Sequence, residues 1–314
     1  MGLVEFRSSQ NQSQHCSNAI LSANKYIRKM KGGAQSSLVR ANDGKYYVVK
    51  MTGNPQGPNT LANELLGSLI AKSVGLPVAE GKGIYLSDSF IDSYPDLWFE
   101  LQSGRRRPIK GLHFGSLLIG QPSGQRRPTE YISPSRVNMI TNRAAFLGMY
   151  LLDVWANHQD NRQAILRRGS NDGTQEAFFI DHGHMFGGPA WDFQERPGVA
   201  FHREMAVYSD LWQDEQIASW ISHFRTVVPE VLSWVACAVP PQWYDGDISR
   251  LIGGLAERLT RLPELVQADG VESWQLAPQN RKDETLKLSD SGVPNVRTPD
   301  TRDTSHHGLA TACA

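Results

Sequence analysis

The sequence predicts an α+β protein in two lobes, a small β-rich lobe carrying one helix and then a larger helical lobe. Three observations predict it. Two β-favouring runs, 37–40 and 46–50, flank the turn Asn42-Asp43-Gly44, a strong hairpin signal. Leu61, Leu65, Leu66, Leu69 and Ile70 then recur at helical spacing before Gly75. Beyond a Pro/Gly/Arg-rich linker ending near Pro128, the patterning becomes mainly helical. On these grounds residues 1–24 are expected to be a flexible leader, 25–118 the first lobe, 119–268 the helical lobe and 269–314 a disordered tail.

In chain order, the leader is rich in Ser, Gln and Asn and has no period. The loop Gly32-Gly33-Ala34-Gln35-Ser36-Ser37 precedes the hairpin. After a Pro/Gly break, Thr60 is the expected cap of the first helix, with Glu64 near its first turn. A strand is expected over 78–86 and another over 112–120. Between them, 88–107 reads as irregular, with Arg105-Arg106-Arg107 a solvated loop. Ser135 or Asn138 is the expected cap of a helix running to Ala156, whose apolar residues fill nearly every face, so it should be buried. A polar loop around Asp160 follows, then two apolar runs joined by a Gly/Asn/Asp turn, the second ending abruptly at Asp181. Helices are expected near 210–224, 227–238 and 247–262. Trp212, Trp220, Trp234 and Trp243 read as core packing.

Composition bounds the function. The chain has 314 residues, 40% of them apolar, enough for a sizeable core. Lys+Arg and Asp+Glu balance at 32 each, which argues against a general nucleic-acid or membrane-surface role. No apolar run reaches the ~20 residues of a membrane span. The start MGLVEFRSSQ lacks a signal-peptide core, and Phe6 stands where a myristoylation motif needs Ser or Thr. Three scattered cysteines form neither a disulfide framework nor a metal-ligand spacing. A cytoplasmic protein is the expectation.

Four features fall where the lobes should meet. The Gly32–Ser37 loop can turn backbone N–H groups and the Ser36 and Ser37 hydroxyls toward phosphate oxygens. Lys50 ends a strand, and Glu64 follows 14 residues later on a helix. Asp160 sits in the loop after the buried helix, and Asp181 comes 21 residues later, just before Gly183. Two carboxylates at such junctions suit phosphoryl transfer, one orienting the attacking hydroxyl and one holding the metal that neutralises the phosphates. Each feature alone has a plainer reading. A strand-end lysine is ordinarily solvated, a glutamate early in a helix complements the dipole, and a strand-end aspartate often caps a helix.

The ordered set resembles the HipA-like kinase family, a branch of the protein-kinase-like superfamily. The stretches that carry the resemblance are KGGAQSSLVRANDGKYYVVK, NTLANELLGSLIAKSVGLPV, GLHFGS, DVWANHQDNRQAIL, FIDHGHMF and PPQWY, spanning roughly residues 30–262. The resemblance implies a bilobal protein-kinase-like fold with ATP between the lobes and Mg²⁺ as metal. By it Lys50 contacts the phosphates, Glu64 pairs with Lys50, Asp160 is the catalytic carboxylate and Asp181 the metal ligand. Gly32, Gly33, Gln35, Ser36 and Ser37 join the nucleotide cradle, and the hinge strand lies near Phe114, Gly115, Ser116 and Leu117.

One departure matters. The family places an Asn, a second metal ligand, five residues after the catalytic Asp, and here that position is Ile165. An apolar side chain cannot ligate a hard cation, which leaves Gln163 or Asn161 as substitutes. The expected function is therefore ATP/Mg-dependent transfer to a hydroxyl, of a protein Ser/Thr or another acceptor, with Ser36 or Ser37 as self-acceptors. The alternative is a nucleotide-binding pseudokinase. A more distant reading is a metal-dependent hydrolase using His158, His182 and His184, although His-Gly-His lacks zinc-protease spacing. Asp153 and Arg162 are each open to a structural or a site role.

Overall fold

The computed structural model describes residues 20–123, 128–169 and 173–276. Nearly all of these fall within one compact unit ending at Trp274. Most of the expected leader, and the expected tail from 277 on, lie outside the described residues.

Five strands close the first lobe into a barrel. β1 (Leu21–Lys29), β2 (Ser37–Ala41) and β3 (Tyr46–Lys50) form an antiparallel meander. β7 (Gly111–Leu117) pairs with β3, and β4 (Gly81–Leu86) lies between β7 and β1, parallel to β1. β1 begins at Leu21, inside the stretch expected as leader.

Side-chain alternation along β3 prepares the site. Tyr47 and Val49 join Val39, Met51, Ile84 and Leu86 in the barrel core. Lys50 therefore leaves on the opposite face, toward α1 (Thr60–Ser73). Almost all of α1 is buried, including the polar Asn63 and Glu64. Asn59, not Thr60, occupies the N-cap position, and its side chain accepts the Asp245 amide at 2.8 Å instead of capping the helix.

The stretch 88–107, expected to be irregular, contains regular elements. It forms α2 (Asp88–Ser93), capped by Ser87 Oγ accepting the Phe90 amide at 3.1 Å, and a short hairpin of β5 (Phe99–Leu101) and β6 (Gly104–Arg106). Arg105 and Arg106 are exposed, as expected, but on a strand, and all three arginines tie the segment to its neighbours. Arg105 covers the Trp98 ring, Arg106 donates to the Gly53 carbonyl, and Arg107 donates to the carbonyls of Ile91, Tyr94, Pro95 and Leu97.

The second lobe is built around α3 (Ala145–Ala156), almost wholly buried as its all-round apolarity requires. A 3₁₀ turn, Pro134–Met139, takes the segment where the helix was expected to start. Asn157 ends α3 in a left-handed conformation, φ +51°, and Arg258 donates to the terminal carbonyls of Val154 and Trp155 at 2.9 and 2.7 Å. These ties fix where the chain leaves for Asp160. The antiparallel hairpin of β8 (Gln163–Arg168) and β9 (Gln175–Ile180) follows.

α4 (Asp214–Val235) is one helix where two were expected. Trp220, Phe224, Val228, Val231, Leu232 and Val235 keep one buried stripe across Pro229. That burial outweighs the ~3 kcal/mol an interior proline costs. α5 (Ile248–Thr260) and α6 (Leu262–Leu276) complete the lobe, so the chain stays helical past the expected boundary at 269. Asp269 is buried on α6, accepting from Tyr150 Oη at 2.8 Å and from the Gly198 amide at 2.9 Å. Among the described residues, no helix is long and apolar enough to cross a membrane.

Candidate active site

Lys50, Glu64 and Asp181 converge where the barrel, α1 and the end of β9 meet. The Lys50 ammonium donates to Glu64 Oε1 and, at 2.6 Å, to Asp181 Oδ1. The lysine and glutamate are buried, so Glu64 is not the dipole-complementing surface residue of the plainer reading. Burial works against the Lys50 charge, but the two carboxylates outweigh it and raise its pKa. Burial likewise opposes ionisation of Asp181, yet Lys50 prevails and lowers its carboxyl to about 2. Lys50 and Asp181 are thus ionised at neutral pH, while burial, opposed by Lys50, raises the Glu64 carboxyl above its ordinary range.

The turn after β9 is held from three sides. Asp181 is left-handed, φ +63°, uncommon for a residue with a side chain. Arg162 Nη1 donates to the carbonyls of Ile180 and Asp181 at 2.8 and 3.1 Å and lies 3.2 Å from His182 Nδ1. The same guanidinium is gripped bidentately by the buried Asp153 of α3, at 2.8 and 2.5 Å. Gly183 donates its amide to Glu64 Oε1 at 2.8 Å, and a Cβ there would stand 2.8 Å from Thr60 Cγ2, so glycine lets the turn sit against α1. Asn63 donates to the carbonyls of Gly183, Met185 and Gly188, and accepts from Trp191 Nε1 at 2.7 Å.

Asp160 is exposed, and its Oδ1 accepts the Asn161 amide at 2.7 Å. It borders a cleft of about 560 Å³ shared with Glu130, Tyr131, Gln163, His202 and Arg203. Of the two expected substitute ligands, Gln163 faces Asp181, donating to Asp181 Oδ2 at 2.9 Å. Asn161 turns the other way and donates to the Val199 carbonyl at 3.3 Å. The β8–β9 register explains this. Gln163 lies opposite Ile180, next to Asp181, whereas Ile165 pairs with Phe178 two residues further into the hairpin.

A model of HipA-like kinases matches residues 24–252. The chain belongs to the HipA-like kinase family. A crystal structure of the Helicobacter pylori proinflammatory kinase CtkA has the same fold, with TM-score 0.50 and 12% identity over 82% of this chain and 99% of that one. The Golgi casein kinase aligns with TM-score 0.46 and 13% identity over 80% of this chain and 75% of that one. No match was found among curated proteins.

Within this HipA-like kinase the glycine-loop residues divide. The loop connects β1 and β2, and Gly32 has φ +117° with open space around it. Gly32 and Gly33 are exposed, but Ser36 and Ser37 are buried, so neither offers an exposed hydroxyl to a phosphoryl donor. Gln35 turns its side chain to the Glu100 backbone of β5 rather than into the cleft. Phe114, Gly115 and Ser116 lie within β7 opposite Lys50, Val49 and Val48. The Phe114 ring packs edge-on to Trp243, and the chain leaves the sheet after Leu117.

The three histidines do not form a metal-ligand cluster among the described residues. His182 meets Arg162, His184 Nε2 lies 3.0 Å from Gln56 Nε2, and both ring nitrogens of His158 are buried without a partner. Among the described residues no three His, Cys, Asp or Glu side chains cluster as a metal site, which removes the basis for the hydrolase reading. Asn63 went unrecognised in the sequence. Its only signal was a polar residue in the apolar stripe beside Glu64.

Proposed function

We propose that this HipA-like kinase transfers the γ-phosphoryl group of ATP, with Mg²⁺, to a hydroxyl, a protein Ser or Thr side chain being the acceptor class. The observation that carries this reading is Lys50 bridging Glu64 and Asp181 while Gln163 holds the second Asp181 oxygen.

An ionised carboxylate and a neutral amide oxygen form a donor set suited to a hard divalent cation. Asp181 and Gln163 would hold the metal, Gln163 by turning its amide so that Oε1 takes the place of the Nε2 now donated to Asp181 Oδ2, and the bound metal would neutralise charge on the phosphates. Lys50, kept cationic by its two carboxylates, binds phosphate oxygens, and Glu64 keeps it on the cleft face. Asp160 orients the acceptor hydroxyl and takes its proton as the new O–P bond forms and the bond to the leaving diphosphate breaks. Arg162 and Asp153 hold the Asp181 backbone in place.

A second reading rests on Ile165, where the family's pattern has an oxygen ligand: a pseudokinase that binds nucleotide without transfer. Incubation with γ-labelled ATP and Mg²⁺, beside Asp160→Asn, tests both. The kinase reading expects label transfer that Asp160→Asn abolishes, while nucleotide still raises the melting temperature of both proteins. Nucleotide stabilisation without transfer in the native protein supports the second reading, and neither effect defeats both.

A further inference from the structure

The β5–β6 hairpin lies outside the barrel and has no part in the site described so far. Strands of three residues are not stable alone, so this hairpin depends on what it grips, and it grips the glycine loop. Gln35 stands in that loop with φ +49°, a left-handed value on a residue with a side chain, and its amide bonds the Gly32 carbonyl at 3.1 Å. Its side chain pairs with Glu100 of β5 as another strand would. Oε1 accepts the Glu100 amide at 2.7 Å, and Nε2 donates to the Glu100 carbonyl at 2.6 Å.

The contact is reinforced at both ends. Lys29, the last residue of β1, donates to Gln35 Oε1 at 2.8 Å and to the Trp98 carbonyl at 3.3 Å. Its ammonium sits 4.0 Å from the Trp98 ring centroid, and the Arg105 guanidinium of β6 covers the same ring at 4.0 Å. Arg106 also donates to the Gly53 carbonyl, just after the strand that carries Lys50. The hairpin therefore touches the segments before β2 and after β3.

We infer that Gln35 is a positioning residue for the nucleotide and that the β5–β6 hairpin, through it, sets the backbone of the Gly32–Ser37 loop. The inference rests on the kinase reading for the identity of the ligand. The physical reason is entropy. A glycine loop that is free in solution must be ordered when it closes on phosphates, and Gln35 orders it beforehand. Both side-chain amide atoms of Gln35 are taken by Glu100 and Lys29.

The test compares Gln35→Ala with Trp98→Ala in the full chain, the second variant loosening the hairpin without altering the loop. Two quantities are read: hydrogen exchange of the amides of residues 32–37 without nucleotide, and KM for ATP against kcat. Both variants should exchange these amides faster and raise KM about tenfold, which corresponds to ordering the backbone of roughly one residue, with kcat within about twofold, as expected for lost ground-state binding. Unchanged exchange in Trp98→Ala, or a fall in kcat at constant KM in either variant, overturns the inference. If the native protein neither binds nor turns over ATP, the kinase reading fails, and a nucleotide role for Gln35 fails with it. Exchange still reports separately whether hairpin and loop are coupled.

Discussion

Lys50 and Asp181, 131 positions apart in sequence, meet at 2.6 Å, and Glu64 shares the same ammonium. The contact ties the barrel to the β8–β9 hairpin of the second lobe. Replacing Lys50 with Met strands two carboxylates, one fully buried, and should destabilise the protein by about 3–5 kcal/mol. Adding Glu64→Gln removes the worse of the stranded charges and should recover most of that loss. Phosphoryl transfer should be lost in both, because the ammonium that binds the phosphate oxygens is gone. Urea unfolding beside a label-transfer assay separates the two effects.

Gln163 should matter and Ile165 should not. Gln163→Ala removes the side chain facing Asp181 Oδ2. It should raise the Mg²⁺ concentration needed for half-maximal nucleotide stabilisation roughly tenfold or more, the scale seen when partners of a metal site are lost. Ile165→Asn writes the family's asparagine back into the chain, yet that position faces Phe178 within the hairpin. It should leave the Mg²⁺ requirement where it was. A magnesium titration of the melting temperature with nucleotide present decides both.

The parts of the site legible in the sequence were those set by local rules. The Asp43-Gly44 turn fixes the β2–β3 register, period-two alternation turns Lys50 away from Val49, and the apolar spacing of α1 exposes Glu64 as a polar residue in a buried stripe. What escaped depends on partners distant in sequence. Gln35 reads as a cradle residue until Glu100, 65 positions on, claims its side chain. Arg162 and Asp153 define each other only once α3 and β8 pack, and Asp269 looked like tail until Tyr150 and Gly198 took its carboxylate. Family spacing puts Ile165 at the position of the asparagine and leaves Gln163 and Asn161 as substitutes, and only the β8–β9 register puts Gln163 beside Asp181.

His113 should give the fold an acid limit. It is buried in β7, accepting the Thr52 amide on Nδ1 at 3.0 Å, with Nε2 3.1 Å from the Ile109 carbonyl. Those contacts require the neutral ring, and burial lowers its pKa to about 4 from the usual 6.5. Between those values the unfolded chain binds more protons than the native one, so stability rises with pH there. The contribution is fully present above about pH 6.5 and is lost as the pH falls through about 4, at most roughly 3 kcal/mol. Burial lowers His202 to about 4 as well, so it adds in the same window. His113→Asn should make the pH dependence of unfolding free energy between about pH 6.5 and 4 shallower, leaving the shares of His202 and of His158, His182 and His223, which burial also lowers.

The Arg162–Asp153 pair offers the sharpest separation of stability from chemistry. Both side chains are almost fully buried, and the guanidinium also supports the carbonyls of Ile180 and Asp181. Asp153→Leu should cost about 3–5 kcal/mol, because it leaves a buried cation without its counter-charge. Replacing both, Asp153→Leu with Arg162→Met, removes the charges together and should return much of that stability, as exchange of buried ion pairs for apolar side chains often does. Activity should not return with it. Asp181 would keep its side chain but lose the donors that hold its left-handed backbone, so Asp181 Oδ2 would no longer be presented reliably beside Gln163. A double variant that unfolds like the native protein yet needs more Mg²⁺ and transfers phosphate far more slowly is the expected result. Full activity in that variant would show that Arg162 only fills space beneath the site.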